Sequence, residues 1–222
     1  ASWAEAFTAI AAKVKGVPGE RIAALAGDLV DAESMVALKD LVEGLGSKNL
    51  DCRQDGAAFD TSARAGYLFN TTIAGIEKAD AILLIGTNPR WEAALVNARI
   101  RKRFRRGNFP IGVIGDVSDL RYAYDYLGAG PETLSDLSSG ANSFAEKLRG
   151  VKNPMIIVGQ GALARPDGLA VLQAAAQLAG SVGALTDEWN GLAVLHTAAS
   201  RVGGLDLGFV PGPKGANAAT ML

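Results

Sequence analysis

An apolar run, AILLI, ends in Gly86-Thr87-Asn88-Pro89, and six cations follow within eight residues: Arg99, Arg101, Lys102, Arg103, Arg105 and Arg106. A glycine, a hydroxyl and the free N–H groups of a helix start are what an anion such as a phosphate requires. Gly159-Gln160-Gly161 follows a second apolar run, MIIV, and repeats that arrangement. Neither turn reads GxGxxG or GxxxxGK[ST]. A tight strand-to-helix turn with an asparagine cap accounts for the first better than a nucleotide does, and better still for the shorter second turn. Positive charge in the last turns of a helix complements its carbonyl end, so the basic run fits a solvated helix terminus or an interface. On a chain of formal net charge −1, such a concentration of cations favours a protein interface.

Cys52 is the only cysteine and His196 the only histidine. An internal disulfide, a cysteine-ligated zinc site or an iron–sulfur cluster therefore cannot be assembled from this chain alone. Cys52 sits in LGSKNLDCRQDGAAFD, a polar stretch expected to leave the carboxyl end of a strand, where loops build sites. With no His or second Cys nearby, a small buried hydrophobe stands beside metal ligand or nucleophile as its reading. His196 lies in GLAVLHTAASRVGG, an apolar, helix-like segment, without the companions of a catalytic triad or a second His for a metal. A packed or capping role is expected. Asp116 closes IGVIGD and either accepts a ribose hydroxyl, as acids at such strand ends do, or caps the turn with Ser118.

The elements that must position these residues follow from spacing. Ser2 before WAEAF is an N-cap, and Trp3, Phe7, Ile10 and Val14 recur at helical intervals, so residues 3–15 should form an amphipathic helix. IAALAG reads as a short buried strand and residues 31–42 as the next helix. AILLIG and MIIVG read as strands covered on both faces in a parallel sheet. Asn88 and Pro89 suit the N-cap and first position of a helix over 89–106, with Trp91, Leu95, Ala98 and Lys102 near one stripe, stopped by Gly107. IGVIGD is a further strand, and residues 131–149 hold one or two helices interrupted near Ser138-Ser139-Gly140. The alternation implies an α/β fold with parallel sheets flanked by helices. The two glycine turns imply two Rossmann-like lobes, 1–150 and a truncated 151–222.

With 49% hydrophobic residues over 222 positions, the chain has enough apolar surface for real cores. Its charge balance gives no case for nucleic acid as a global partner, and no apolar run approaches the ~20 residues that span a bilayer. ASWAEAF lacks both an initiator Met and a secretion signal, and the Gly/Pro-rich GFVPGPKGANAATML stops without a closing element. Both edges read as internal to a longer protein.

SWAEAFTAIAAKVKG, NLDCRQDG, the long segment YLFNTTIAGIEKADAILLIGTNPRWEAALVNARIRKRFRRG and WNGLAVLHTAASRVGGLDLGFVPG together resemble the molybdopterin oxidoreductase superfamily. Within it they resemble the large iron–sulfur subunits of proton-pumping NADH:quinone oxidoreductases, the respiratory complex I family, from Trp3 to Pro211. The resemblance implies a parent that carries electrons from NADH toward quinone through clusters held by cysteines upstream, with no cofactor in this portion. It also implies other peripheral-arm subunits as partners, no direct membrane insertion, and a location on the cytoplasmic face of a bacterial inner membrane or the mitochondrial matrix side. Active molybdenum relatives carry a metal ligand several residues after an N-[VL]-D motif. Here Asn49-Leu50-Asp51 is present, but Gln54-Asp55-Gly56 offers no thiol; Cys52 comes too early, and Asp55 is an oxygen ligand that only some relatives use. Arg53 is the nearby candidate for proton handling. The resemblance thus implies a scaffold and interaction domain whose Gly86-Thr87-Asn88 and Gly159-Gln160-Gly161 turns are vestiges of a cofactor cleft, with an active molybdopterin oxidoreductase as the alternative.

Overall fold

The structure, a computed structural model, describes residues 1–221 and divides into two compact units. One comprises Ala1–Gly56 with the segment from Ala198 onward; the other is the uninterrupted run Ala57–Thr197.

The first unit opens with α1 (Trp3–Val14). Ser2 Oγ accepts the Glu5 N–H at 3.3 Å and the Glu5 carboxylate accepts the Ser2 N–H at 2.6 Å, a reciprocal box that satisfies two orphan donors. The expected apolar stripe is present, yet none of the helix is buried, and Trp3 is 80% exposed. The strands β1 (Ala23–Leu25) and β2 (Asn49–Asp51) pair in parallel across the crossover helix α2 (Ala32–Gly44), with Ala24 opposite Leu50. Asp31 starts α2 by accepting the Ser34 N–H at 2.7 Å. β1 was expected to be buried; it is half-buried, with Ala24 inside and Ala23 and Leu25 outside. Asn49–Asp51, expected within the polar loop, belongs to β2, so that loop begins at Cys52.

The second unit contains α3 (Thr72–Gly75), β3 (Ala81–Ile85), α4 (Pro89–Glu92), α5 (Ala94–Phe104), β4 (Ile111–Ile114) and β5 (Asp125–Gly128). It continues through α6 (Glu132–Ser139), α7 (Phe144–Arg149), β6 (Pro154–Val158), α8 (Gln160–Leu163), α9 (Gly168–Ser181) and β7 (Leu192–Val194). The chain then returns to the first unit as α10 (Arg201–Asp206) and α11 (Ala218–Met221).

All five strands of the second unit are parallel, in the order β5-β4-β3-β6-β7. Every residue of β3 and β6 is buried, as unbroken apolar strands in a parallel sheet should be. Ile82, Leu84, Val113 and Ile157 pack in one cluster with Val96 and Ile100 of α5. On the other side of the pleat, a Cβ placed on Gly112 would sit 2.7 Å from the Phe144 ring, so α7 approaches the sheet only because β4 has a glycine there. From β3 the chain builds outward through β4 and β5, then crosses back to lay β6 on the opposite flank of β3. The strand order reverses between β3 and β6, the place where open α/β sheets hold ligands.

Several expectations are corrected. A boundary at 150/151 does not separate compact units: β6 pairs along the whole of β3, from Ala81 opposite Pro154 to Ile85 opposite Val158, so 1–150 and 151–222 share one sheet. The two glycine turns accordingly mark neighbouring strands of one unit, not two lobes. The helix over 89–106 is two helices, broken at Ala93 (φ −153°, ψ 70°). The segment holding His196 is a strand end, β7, followed by α10, since Leu192–Val194 completes the sheet edge beside β6. β5, with a half-exposed DYLG sequence, adds an edge strand that hydrophobic patterning did not reveal.

Candidate functional site

Four of the residues in the two expected turns line one cleft of about 360 Å³ at the carboxyl ends of β3, β4 and β6: Gly86, Thr87, Asn88 and Gly161. Gly159 and Gln160 belong to the second turn but face elsewhere; Gln160 is buried and donates from Nε2 to the Leu195 carbonyl at 2.7 Å, tying the turn to the end of β7.

The glycines serve contact between the turns. A Cβ on Gly86 (φ +56°) would lie 2.5 Å from the backbone nitrogen of Ala162, and one on Gly159 would lie 2.4 Å from Thr87 Cβ. The Gly159 N–H donates to the Ile85 carbonyl at 2.9 Å. The turns therefore press directly on one another.

The anion-holding groups are also occupied from within. Glu92 takes the Thr87 hydroxyl on one carboxylate oxygen at 2.6 Å and the Asn88 N–H on the other at 2.9 Å. An internal carboxylate thus stands where a phosphate would meet that N–H. Asn88 was expected to cap the helix with its side chain; that bond is not made, and Asn88 Oδ1 is buried with no hydrogen-bond partner among the described residues. Asp116 lines the cleft and is exposed, whereas the Ser118 N–H goes to the Tyr124 hydroxyl at 3.0 Å, so the expected cap of Ser118 by Asp116 is not made. Arg165, a cleft residue that sequence reasoning missed, is held in a two-pronged pair by Asp167 at 2.7 and 2.9 Å. Two carboxylates facing one already-neutralised guanidinium do not suit a pyrophosphate.

The metal-ligand candidates belong to the first unit. Cys52 is 2% exposed, and burial pushes its thiol up to about 11, with the nearby Arg201 charge opposing. α10 passes so near that a Cβ on Gly204 would lie 2.8 Å from Cys52 Sγ. Asp55 pairs with Arg201 at 3.1 Å; Arg201 is 1% exposed and also lies 3.7 Å from Asp28. Nothing in the sequence around AASRVGG signalled this buried guanidinium.

Arg53 forks onto Asp51 at 2.8 and 3.1 Å, and Asp51 also accepts the Ala218 N–H at 3.1 Å, at the start of α11. Asn49 donates to the Glu20 and Ile22 carbonyls, each at 3.0 Å, and accepts the Ala216 N–H at 2.8 Å. The Asn-Leu-Asp motif therefore ties backbone segments together. Among the described residues no three His, Cys, Asp or Glu side chains converge in a geometry for a metal ion. Within the first unit Arg201 engages Asp55, and within the second Glu92 takes the Thr87 hydroxyl and the Asn88 N–H, so in each unit groups that a molybdopterin would call on are already engaged.

His196 Nε2 meets the Tyr67 carbonyl at 2.6 Å, and its ring lies 5.1 Å from that of Phe59, the packed role expected. In the basic run, Arg99, Lys102 and Arg106 all converge on Glu77, whose carboxyl is held down to about 2 by hydrogen bonds from Lys102 first, then Arg99 and Arg106. Arg103 lies over the Phe109 ring at 4.6 Å and reaches Asp80 at 3.6 Å. Arg101 and Arg105 are exposed.

Among the proteins that the chain is similar to are the following two. Over 209 residues it is 45% identical to the G subunit of the NADH-quinone oxidoreductase of Rickettsia felis, covering 94% of this chain and 31% of that protein. Over 210 residues it is 44% identical to the mitochondrial NADH dehydrogenase [ubiquinone] iron-sulfur protein 1 of Solanum tuberosum, covering 95% of this chain and 28% of that protein. The chain therefore spans under a third of the length of these relatives. The family model described as molybdopterin oxidoreductase matches residues 1–222. By that match, and with a parallel sheet whose cleft opens at its switch point, this chain belongs to the molybdopterin oxidoreductase family.

Proposed function

We propose that this chain is a portion of the large iron–sulfur subunit, the G subunit, of an NADH:quinone oxidoreductase, and that it serves as a scaffold and interaction domain without a molybdenum cofactor. Its parent carries electrons from NADH toward quinone through clusters ligated in the length of the relatives that this chain does not span. The domain sits in the peripheral arm beside other subunits, on the cytoplasmic face of a bacterial inner membrane or the matrix side of a mitochondrial one. No helix among the described residues is long and apolar enough to cross a membrane, which accords with that placement.

The observation that carries the scaffold reading is Glu92 filling the anion position of the Gly86-Thr87-Asn88 turn. An active molybdopterin oxidoreductase, the competing reading, has family membership and the switch-point cleft in its favour. It would require Glu92 to leave that turn and Asp55 to leave Arg201. Elemental mass spectrometry of the full-length parent decides between them: iron without molybdenum is expected, and stoichiometric molybdenum overturns the scaffold reading.

A further inference from the structure

The basic end of α5 is only partly neutralised by its own unit. Glu77 offsets one of the three cations it holds and Asp80 offsets Arg103, so of six positive charges four remain. Arg101 and Arg105 are exposed and make no ion pair among the described residues, although the chain as a whole is slightly acidic.

The same helix exposes apolar surface nearer its start. Leu95 is 77% exposed and shares a groove with Ile73 of α3, which is 45% exposed, and with Ala98. Ala98 and Lys102 also border a second groove, shared with Arg101 and Arg105. The inner side of α5 is committed to the core through Val96 and Ile100, whereas Leu95, Arg101 and Arg105 are exposed. At 1.5 Å per residue, the step from Leu95 to Arg105 spans about 15 Å along the helix.

We propose that this face docks an acidic, amphipathic segment of a neighbouring polypeptide. An apolar side chain of that segment seats beside Leu95 and Ile73, and Asp or Glu residues roughly 9 and 15 Å further along meet Arg101 and Arg105. The ordering of chemistry along α5 selects this partner. Nucleic acid phosphates would use the cations and leave the apolar groove empty. A membrane-surface helix carries apolar residues along a whole face, whereas here the exposed apolar surface is one patch at the start of α5, Leu95 beside Ile73, with cations bordering it and continuing beyond it. The proposal rests on the assembly reading above and adds to it a surface and the chemistry of its occupant.

The test places the photo-crosslinking residue p-benzoylphenylalanine at Leu95 of the full-length protein in its intact assembly. Irradiation should give a crosslink to a different polypeptide, at a peptide with two or more acidic residues close to an apolar one. Adding Arg101→Glu and Arg105→Glu should lower the yield by about fivefold or more, as should high salt. Arg101→Gln with Arg105→Gln provides a milder pair should charge reversal disturb folding. Crosslinks to lipid, to nucleic acid, to the same polypeptide or to a peptide without acids overturn the proposal, as does no crosslink, or a yield unmoved by both pairs. Iron and molybdenum are read on the same preparation. Molybdenum with an acid-dependent crosslink removes the scaffold reading alone; iron alone without such a crosslink removes only the docking surface.

Discussion

Arg201, 1% exposed, holds Asp55 at 3.1 Å. The pair fixes the loop after β2 to the start of α10 within the first unit, and it engages a carboxylate of the kind that only some relatives use as a metal ligand. Removing the partly exposed Asp55 leaves the buried Arg201 guanidinium undercompensated. Asp55→Ala should therefore destabilise the first unit by about 3 kcal/mol, the lower end of the usual range because Asp28 remains near Arg201. Urea unfolding measures this; an unchanged midpoint would mean that the pair contributes nothing to holding the loop.

The contact between the two glycine turns predicts a contrast between alanine substitutions. Gly159→Ala drives a Cβ to within 2.4 Å of Thr87 and should cost about 2–3 kcal/mol. Gly107→Ala, at φ +82° with open space around it, should cost about 1 kcal/mol from backbone strain alone. Thermal melts of the two variants give the ordering, and equal losses would contradict direct turn-to-turn packing.

Cys52 should resist alkylation in the folded protein. A thiol raised from 9.0 to about 11 has about a hundredfold less thiolate at neutral pH, and the fold also shields it. Because the folded state holds this proton more tightly than the unfolded chain, its stabilising contribution is complete below pH 9 and lost as pH rises through 11. Iodoacetamide labelling should be slow until urea unfolds the first unit; rapid labelling under native conditions would refute the burial argument.

Glu77 gives the opposite pH signature. Its carboxyl is lowered from 4.5 to about 2, so its contribution to stability is present above pH 4.5 and lost as pH falls through 2. Glu77→Gln should lower the melting temperature at pH 7, and the difference from the parent chain should shrink toward zero near pH 2. Added salt should shrink it at neutral pH as well. A difference that persists at pH 2 would point to packing rather than charge.

The elements easiest to read from sequence were β3 and β6, because a strand buried on both faces leaves an unbroken apolar run. β5 escaped because an edge strand carries no such run, and the break at Ala93 because no Gly or Pro marks it. In the cleft, the turns were located but their tenant was not. Glu92 lies four residues beyond Asn88, a spacing that marks an acid in a first helical turn without revealing that it folds back on the turn before it. The basic run was visible, but its clamp was not, since Glu77 precedes the three cations it binds by 22 to 29 residues.

The split of the first unit around the second sets an order of maturation. Asn49 and Asp51 of β2 find their N–H partners on Ala216 and Ala218, each 167 residues later in the chain. At about 5–20 residues per second, a ribosome delivers those partners roughly ten to thirty seconds after β2 itself. A two-stranded sheet alone is marginal in water, and the continuous run Ala57–Thr197 needs nothing made later to complete its own five strands. The inserted unit is thus ready first, and the side chains of Asn49 and Asp51 wait for Ala216 and Ala218 before they can be sealed.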